Sequence, residues 1–255
     1  MAAASPTRLA TAWRAAGATS APDGATADRV GVLEIDWAAA RIRIVGEAAV
    51  PSRAHGLLAR PDGGFLAVAN RPGRWLLQAD AEGRVRRRVD IDDERPRRTF
   101  NGHVEASRDG DWLYTTETDP ASGDSWIGVR DARHLGRVGE LPAGGRDAHQ
   151  LLRADDDTLV VALGGIVRDA EGRRVEPERM APGLVRLAPQ AAAGAQHLGH
   201  WQLDDPRLSL RHIAWARRPS PVDTAAARPL LGIALQAEHD NDDARRRAPT
   251  LALWD

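Results

Sequence analysis

One segment type recurs along this chain at a nearly fixed distance, and that recurrence limits the fold more than any other feature. Ala54-His55-Gly56-Leu57-Leu58-Ala59-Arg60-Pro61-Asp62-Gly63 aligns with Gly102-His103-Val104-Glu105-Ala106-Ser107-Arg108-Asp109-Gly110. Each places a His ahead of a short apolar run and an Asp-Gly turn behind it. A third copy reads Ala148-His149-Gln150-Leu151-Leu152 before Asp155-Asp156-Asp157, and a fourth keeps Arg211-His212-Ile213-Ala214-Trp215. The histidines are 48, 46 and 63 residues apart. Periods of this size mark solenoids and propellers, in which a supersecondary unit buries its faces only against its neighbours.

The text between the copies is β-like. Runs at residues 10–13, 30–37, 41–45, 64–69, 74–78, 84–91, 111–116, 125–130 and 158–163 are bounded by Gly, Pro, Asp or Asn, and no comparably long stretch keeps a 3.6-residue period. The Ala-rich stretch 191–196 is either a helical turn or a loop. These runs predict four-stranded antiparallel blades: the His segment supplies the inner strand, the Asp-Gly turn leads to the second, and Gly accepts the positive φ of a tight hairpin. Second strands are expected at 65–70, 112–116 and 158–163, and outer ones at 75–80 and 84–91. Residues 168–182, rich in Gly, Arg, Glu and Pro, read as an excursion loop that lengthens the last interval. At about 47 residues per blade a seven-bladed ring needs roughly 330, so 255 residues give about five. The expectation is an all-β chain, one β-propeller domain over 1–255, built as an incomplete ring or open arc. Residues 11–50 read as a blade without its inner strand, and the chain stops at Leu253-Trp254-Asp255 in mid-blade.

Composition removes several functions. Basic and acidic residues number 35 and 36, for a net charge of −1, so the one-signed field of a nucleic-acid binder is missing. All the basic side chains are Arg, which excludes Schiff-base chemistry and the phosphate-loop lysine. No Cys is present, so thiolate metal sites, disulfides and cysteine nucleophiles are excluded. The longest apolar run, 159–167, is far below the roughly 18 residues of a membrane span, and residues 1–17 hold no continuous apolar export signal.

His55, His103, His149 and His212 are the leading candidate site residues, because equivalent positions in successive blades gather around one axis. Imidazole is a common ligand of Zn, Cu, Fe and Ni, and three or four converging rings hold a transition metal without cysteine. The commoner role of a His ahead of an inner strand is structural, a hydrogen bond to the neighbouring strand or turn. Arg71, Glu117, Asp119 and Arg211 flank inner and second strands. The acids suit an oxygen-rich metal shell and the arginines a carboxylate or haem propionate; the alternative is solvated rim residues. Other patterns fail. Gly123-Asp124-Ser125-Trp126-Ile127 has Ile where a nucleophile elbow needs Gly. His197 and His200 sit in β-like text beside Gly199, and His239-Asp240-Asn241-Asp242-Asp243 lacks the Gly and Glu of a calcium hand and reads as an exposed loop.

Taken in order, Arg71-Pro72-Gly73, Phe100-Asn101-Gly102-His103, Leu113-Tyr114-Thr115-Thr116-Glu117 with Asp119, Ile127-Gly128-Val129 with Asp131, Arg137-Val138-Gly139-Glu140, Gly164-Gly165-Ile166 and Leu208-Ser209-Leu210-Arg211-His212 resemble the domain of unknown function 1513 family. The resemblance covers about Arg8 to Trp254. It implies a seven-bladed propeller some hundred residues longer than this chain, the missing part being C-terminal, and export to the periplasm, commonly by a twin-arginine leader. It also implies imelysin-like iron-regulated proteins and di-haem oxidases as genomic neighbours and partners. Leu163 stands where the family has Asn, and Asp147-Ala148 replaces a Gly-Pro-like pair.

The resulting expectation is an exported, non-catalytic module of bacterial iron or haem acquisition, binding iron, another transition metal, haem or a partner protein. A metal-assisted hydrolase such as a propeller lactonase, with a His base and Glu117 helping hold a cation, is the enzyme alternative; a pure interaction scaffold is the third. No nucleophile, acid and base set stands at recognisable spacing.

Overall fold

The computed structural model describes residues 6–15, 27–169, 172–190, 194–216 and 230–255. Five antiparallel sheets follow one another along the chain. The first holds β1 (Thr7–Arg14), β2 (Asp28–Asp36) and β3 (Arg41–Ala49). The second holds β4 (Ala54–Ala59), β5 (Phe65–Ala69), β6 (Trp75–Ala79) and β7 (Val85–Asp90), and the third β8 (Thr99–Ala106), β9 (Trp112–Thr118), β10 (Asp124–Asp131) and β11 (Arg137–Arg146). The fourth holds β12 (Ala148–Arg153), β13 (Leu159–Leu163), β14 (Gly183–Gln190) and β15 (Gly194–Trp201), and the last β16 (Leu208–Ala216), β17 (Leu230–Ala237) and β18 (Leu251–Trp254). The expected second and outer strands are all present.

Alternation along the second strands explains why the sheets stack. Phe65, Ala67 and Ala69 of β5 join an apolar cluster with Val30 and Val32 of β2, while Leu66 and Val68 face Phe100 and Leu113 of the third sheet. In β13, Leu159, Val161 and Leu163 meet Tyr114, Ile127 and Leu141, whereas Val160 and Ala162 meet Leu210, Ile213 and Leu231. A strand buried on both faces has no need of polar residues, which is why FLAVA and LVVAL are continuous apolar runs. Among the described residues four such clusters join five sheets in series, and the sheets do not close into a ring.

Three details differ from expectation. β1 lies against β4, as β4 lies against β8 and β8 against β12, so the first sheet has its inner strand and lacks an outermost fourth one among the described residues. Residues 191–193 lie outside the described residues, and Gly194–Gln196 open β15 rather than a helical turn. The acidic stretch after His239 forms a short helix, α1 (Asp242–Arg247), because Asn241 accepts hydrogen bonds from the backbone of Asp243 and Ala244. The excursion at 168–182 does run outside the sheet pattern, between β13 and β14.

The inner strands β4, β8, β12 and β16 share one irregularity that positions the site. From Ala54 to Leu57 the inner strand advances three residues while its partner advances two, from Ala69 to Ala67. The same extra residue lies between Ala148 and Leu151 and between Leu210 and Ile213, and two extra lie between Phe100 and Val104. His55, His149, His212 and His103 each stand inside one of these bulges. A bulge releases a residue from the ladder and re-aims its side chain, so all four imidazoles leave their sheets at one level. In β8 the second extra residue is Gly102 at φ +108°, where a Cβ would also lie 2.9 Å from the Cβ of His55. Gly102→Ala is expected to cost at least about 1–2 kcal/mol from backbone strain alone, read as a lower urea midpoint.

Candidate functional site

The bulges bring the four rings into one cluster. Ring centroids of His55, His103, His149 and His212 are separated by 4.8–5.6 Å. One ligand nitrogen from each lies within 4.8 Å of all the others. His149 Nε2 and His212 Nε2 are 3.4 Å apart, and Nε2 of His55 and of His103 is buried with no hydrogen-bond partner. The structural alternative, a His bonded to a neighbouring strand or turn through its ring, does not describe these last two atoms. His149 is buried, while His212 opens to solvent.

The environment keeps these rings neutral. Burial first, then the His212 ring and the Arg71 guanidinium, lower the His55 pKa from 6.5 to about 4. Burial and the His55 ring lower His103 to about 3. His149 is lowered by burial and by Arg71, and His212 by burial and by Arg211. Neutral imidazole is the form that binds metals.

Arg71 and Arg211 belong to this site, through a carboxylate that sequence reading noted only as a departure. Asp147, 6% exposed, accepts from Arg71 and, at 3.1 Å, from Arg211 Nη1. Arg71 Nη2 then lies 2.9 Å from His149 Nδ1. Asp147 sits at φ +54°, a left-handed conformation that Asp tolerates better than most residues. A Gly-like position occupied by Asp was the available signal.

The structure does not bring Glu117 and Asp119 to the cluster; both are engaged by arginines of the third sheet and its flanks. Glu117 is fully buried; its Oε1 accepts from Arg130 Nη2 at 2.7 Å and from the Thr115 hydroxyl at 2.7 Å, and its Oε2 from Arg137 Nη1 at 3.1 Å. A Cβ on Gly128 would lie 2.1 Å from that carboxylate, so the small residue there makes room for it. Asp119 accepts from Arg98 at 3.1 Å and from the backbone of Ala121 at 2.8 Å, holding its own turn. Glu117 is spent inside the third sheet and Asp119 in the turn after β9, and the hydrolase that would use Glu117 loses its cation ligand. Ser125 is buried, and its Oγ accepts from the Ala148 amide at 2.9 Å.

Similarity to known proteins agrees with this architecture. The family described as Protein of unknown function (DUF1513) matches residues 48–255. The chain belongs to the DUF1513 family. Among curated proteins the sequence finds no match. Hydrazine synthase from Kuenenia stuttgartiensis is 15% identical with a TM-score of 0.54, over 85% of the DUF1513 chain and 54% of its own. The Cps50 (Swd1) β-propeller domain of Myceliophteria thermophila is 13% identical at 0.54, over 89% and 68%, and a europium-containing methanol dehydrogenase 11% identical at 0.53, over 91% and 46%. These likenesses show a propeller fold, and the DUF1513 chain spans about half to two thirds of each of those chains. No helix among the described residues is long and apolar enough to cross a membrane.

Two outcomes follow for this DUF1513 protein. Below pH 6.5 an unfolded chain takes up protons that His55 and His103 refuse when folded. Stability of the metal-free protein is therefore complete above that pH and is lost as pH falls toward 4 and then 3, which thermal melts across pH 7.5 to ~4 will show. Glu117→Ala removes one carboxylate shared by Arg130 and Arg137, leaving them Glu94 and Glu140, and is expected to cost about 1–3 kcal/mol in chemical denaturation.

Proposed function

We propose that the four-imidazole cluster binds one transition-metal ion, and that the arc of sheets acts as a non-catalytic binding module. The observation that carries this reading is the convergence of ligand nitrogens from four separate sheets within 4.8 Å. Two ligands on a tetrahedral ion with metal–nitrogen bonds of 2.0–2.1 Å are about 3.3 Å apart, within the 4.8 Å span of these nitrogens. The wider pairs need only a small inward movement of the rings.

The donor set narrows the metal. All donors are uncharged nitrogen, and the nearby carboxylate, Asp147, is engaged by Arg71 and Arg211. Imidazole sets of this kind suit zinc, copper, nickel and iron, not magnesium or calcium. Haem does not fit between rings this close: the space holds an ion, not a macrocycle. The resemblance to an exported family encoded beside imelysin-like proteins and di-haem oxidases supports a periplasmic setting in iron acquisition, with those proteins as partners. On this reading iron enters as a free ion.

Chelator-stripped protein should take up about one ion per chain from solutions of Zn(II), Cu(II), Ni(II) or Fe(II), measured by elemental analysis after desalting. His103→Ala should lose most of that uptake while remaining folded by circular dichroism. If the wild type retains none of the four metals, the cluster is structural and the reading fails.

A further inference from the structure

The four rings are not equivalent, and the difference lies in the proton on His149. Arg71 Nη2 stands 2.9 Å from His149 Nδ1. A guanidinium only donates, so Nδ1 offers its lone pair to Arg71 and the ring's proton resides on Nε2. That Nε2 is the atom turned to the cluster, 3.4 Å from His212 Nε2. The His149 N–H therefore donates to His212, whose Nε2 keeps a lone pair. Nε2 of His55 and of His103 has no partner at all.

We propose that His55, His103 and His212 hold the metal, and that His149 faces the fourth coordination position as a hydrogen-bond donor to a small anionic ligand. This deepens the metal reading above and rests on it. Ligation by His149 Nε2 requires Nδ1 to carry the proton, which the Arg71 N–H opposes, or requires a full imidazolate. Arg71 does not yield easily, because its other terminal nitrogen is bonded to Asp147, itself held by Arg211.

Charge selects the kind of ligand. Arg71, Arg211 and Arg53 all press on these rings electrostatically, and Arg168 approaches Asp147 within 4.0 Å. Against them stand Asp147 and Glu238, each already paired with Arg211 at 3.1 and 3.4 Å. A divalent ion on three neutral imidazoles adds positive charge to a surplus that is already positive. A fourth ligand of negative charge, such as hydroxide, carboxylate or azide, relieves it, and the exposed side of His212 gives it a way in. A trio of imidazoles with one exchangeable position is also the arrangement of open metal sites generally.

The test uses Cu(II)-loaded protein, pulsed electron paramagnetic resonance to count coordinated imidazoles, and azide as the anion probe. The wild type should show three imidazoles and a new azide-to-copper absorption band. In Arg71→Met, Nδ1 is free to take the proton, so the count should rise to four and the azide band should disappear. Four imidazoles in the wild type, or an azide response unchanged in Arg71→Met, would overturn the proposal while leaving the metal reading intact. Absence of bound copper in the wild type, together with no uptake of the other metals, would instead refute that reading itself. If Arg71→Met does not fold, the wild-type count decides alone.

Discussion

The bulges in the four inner strands that carry a His govern what this molecule can do. A regular strand sends successive side chains to opposite faces of its sheet, and here both faces are sealed by apolar contacts with the neighbouring sheets. A polar ring on a regular inner strand would have to enter one of those cores. The bulges between Ala54 and Leu57, Phe100 and Val104, Ala148 and Leu151, and Leu210 and Ile213 give the histidines a third direction. Because the sheets stack in series, that direction is shared, and four residues scattered over more than 150 positions of sequence meet in one place. The cost is a broken ladder in four strands, borne by the continuous apolar second strands beside them.

The arginine-only cation set shapes the rest of the interior. Arg130 is fully buried yet bonded at 2.8 and 3.0 Å to Glu94 and at 2.7 Å to Glu117, with Thr115 and the Leu135 carbonyl completing its donors. Arg137 links Glu117 to Glu140, and Arg98 links Glu140 to Asp119. A forked, permanently charged donor can satisfy two carboxylates at once, which an ammonium does less well. Phe100 and Trp126 cover the guanidinium faces of Arg130 and Arg98 at 4.6 and 4.7 Å. Charge alternates along this chain, so no member is buried without an opposite neighbour. The network locks the third sheet, from which His103 projects.

Much of this was legible in the sequence. The spacing of His55, His103 and His149, with the turns at Gly63 and Gly110, gave the blades and their order, since period and turn chemistry are local properties. Convergence of the histidines also followed, because repeated positions in a stacked array share an axis. The roles of Glu117 and Asp119 did not follow. Their partners Arg130 and Arg137 come from other strands of the same sheet and Arg98 from the segment before β8, and no local pattern distinguishes a buried acid with two cations from an exposed one. β1 was misplaced for a related reason: the contact that makes it an inner strand is with β4, across an intervening hairpin. Asp147 was visible only as an oddity, a residue of charge where the backbone turns left-handed.

Asp147 also ties the two themes together. It lies beside a group of neutral imidazoles surrounded by guanidiniums, and its hydrogen bonds go to Arg71 and Arg211. Two consequences arise from that placement. Arg71 is held with one nitrogen on Asp147 and another on His149, so a single acid fixes the orientation and the tautomer of a ring it never touches, much as outer carboxylates orient ligands around metal centres. The acid's charge is spent in doing so, and attraction of a cation to this site cannot come from the surrounding field. On the proposed metal reading it comes from lone pairs already aimed at one point, which is what the bulged inner strands supply.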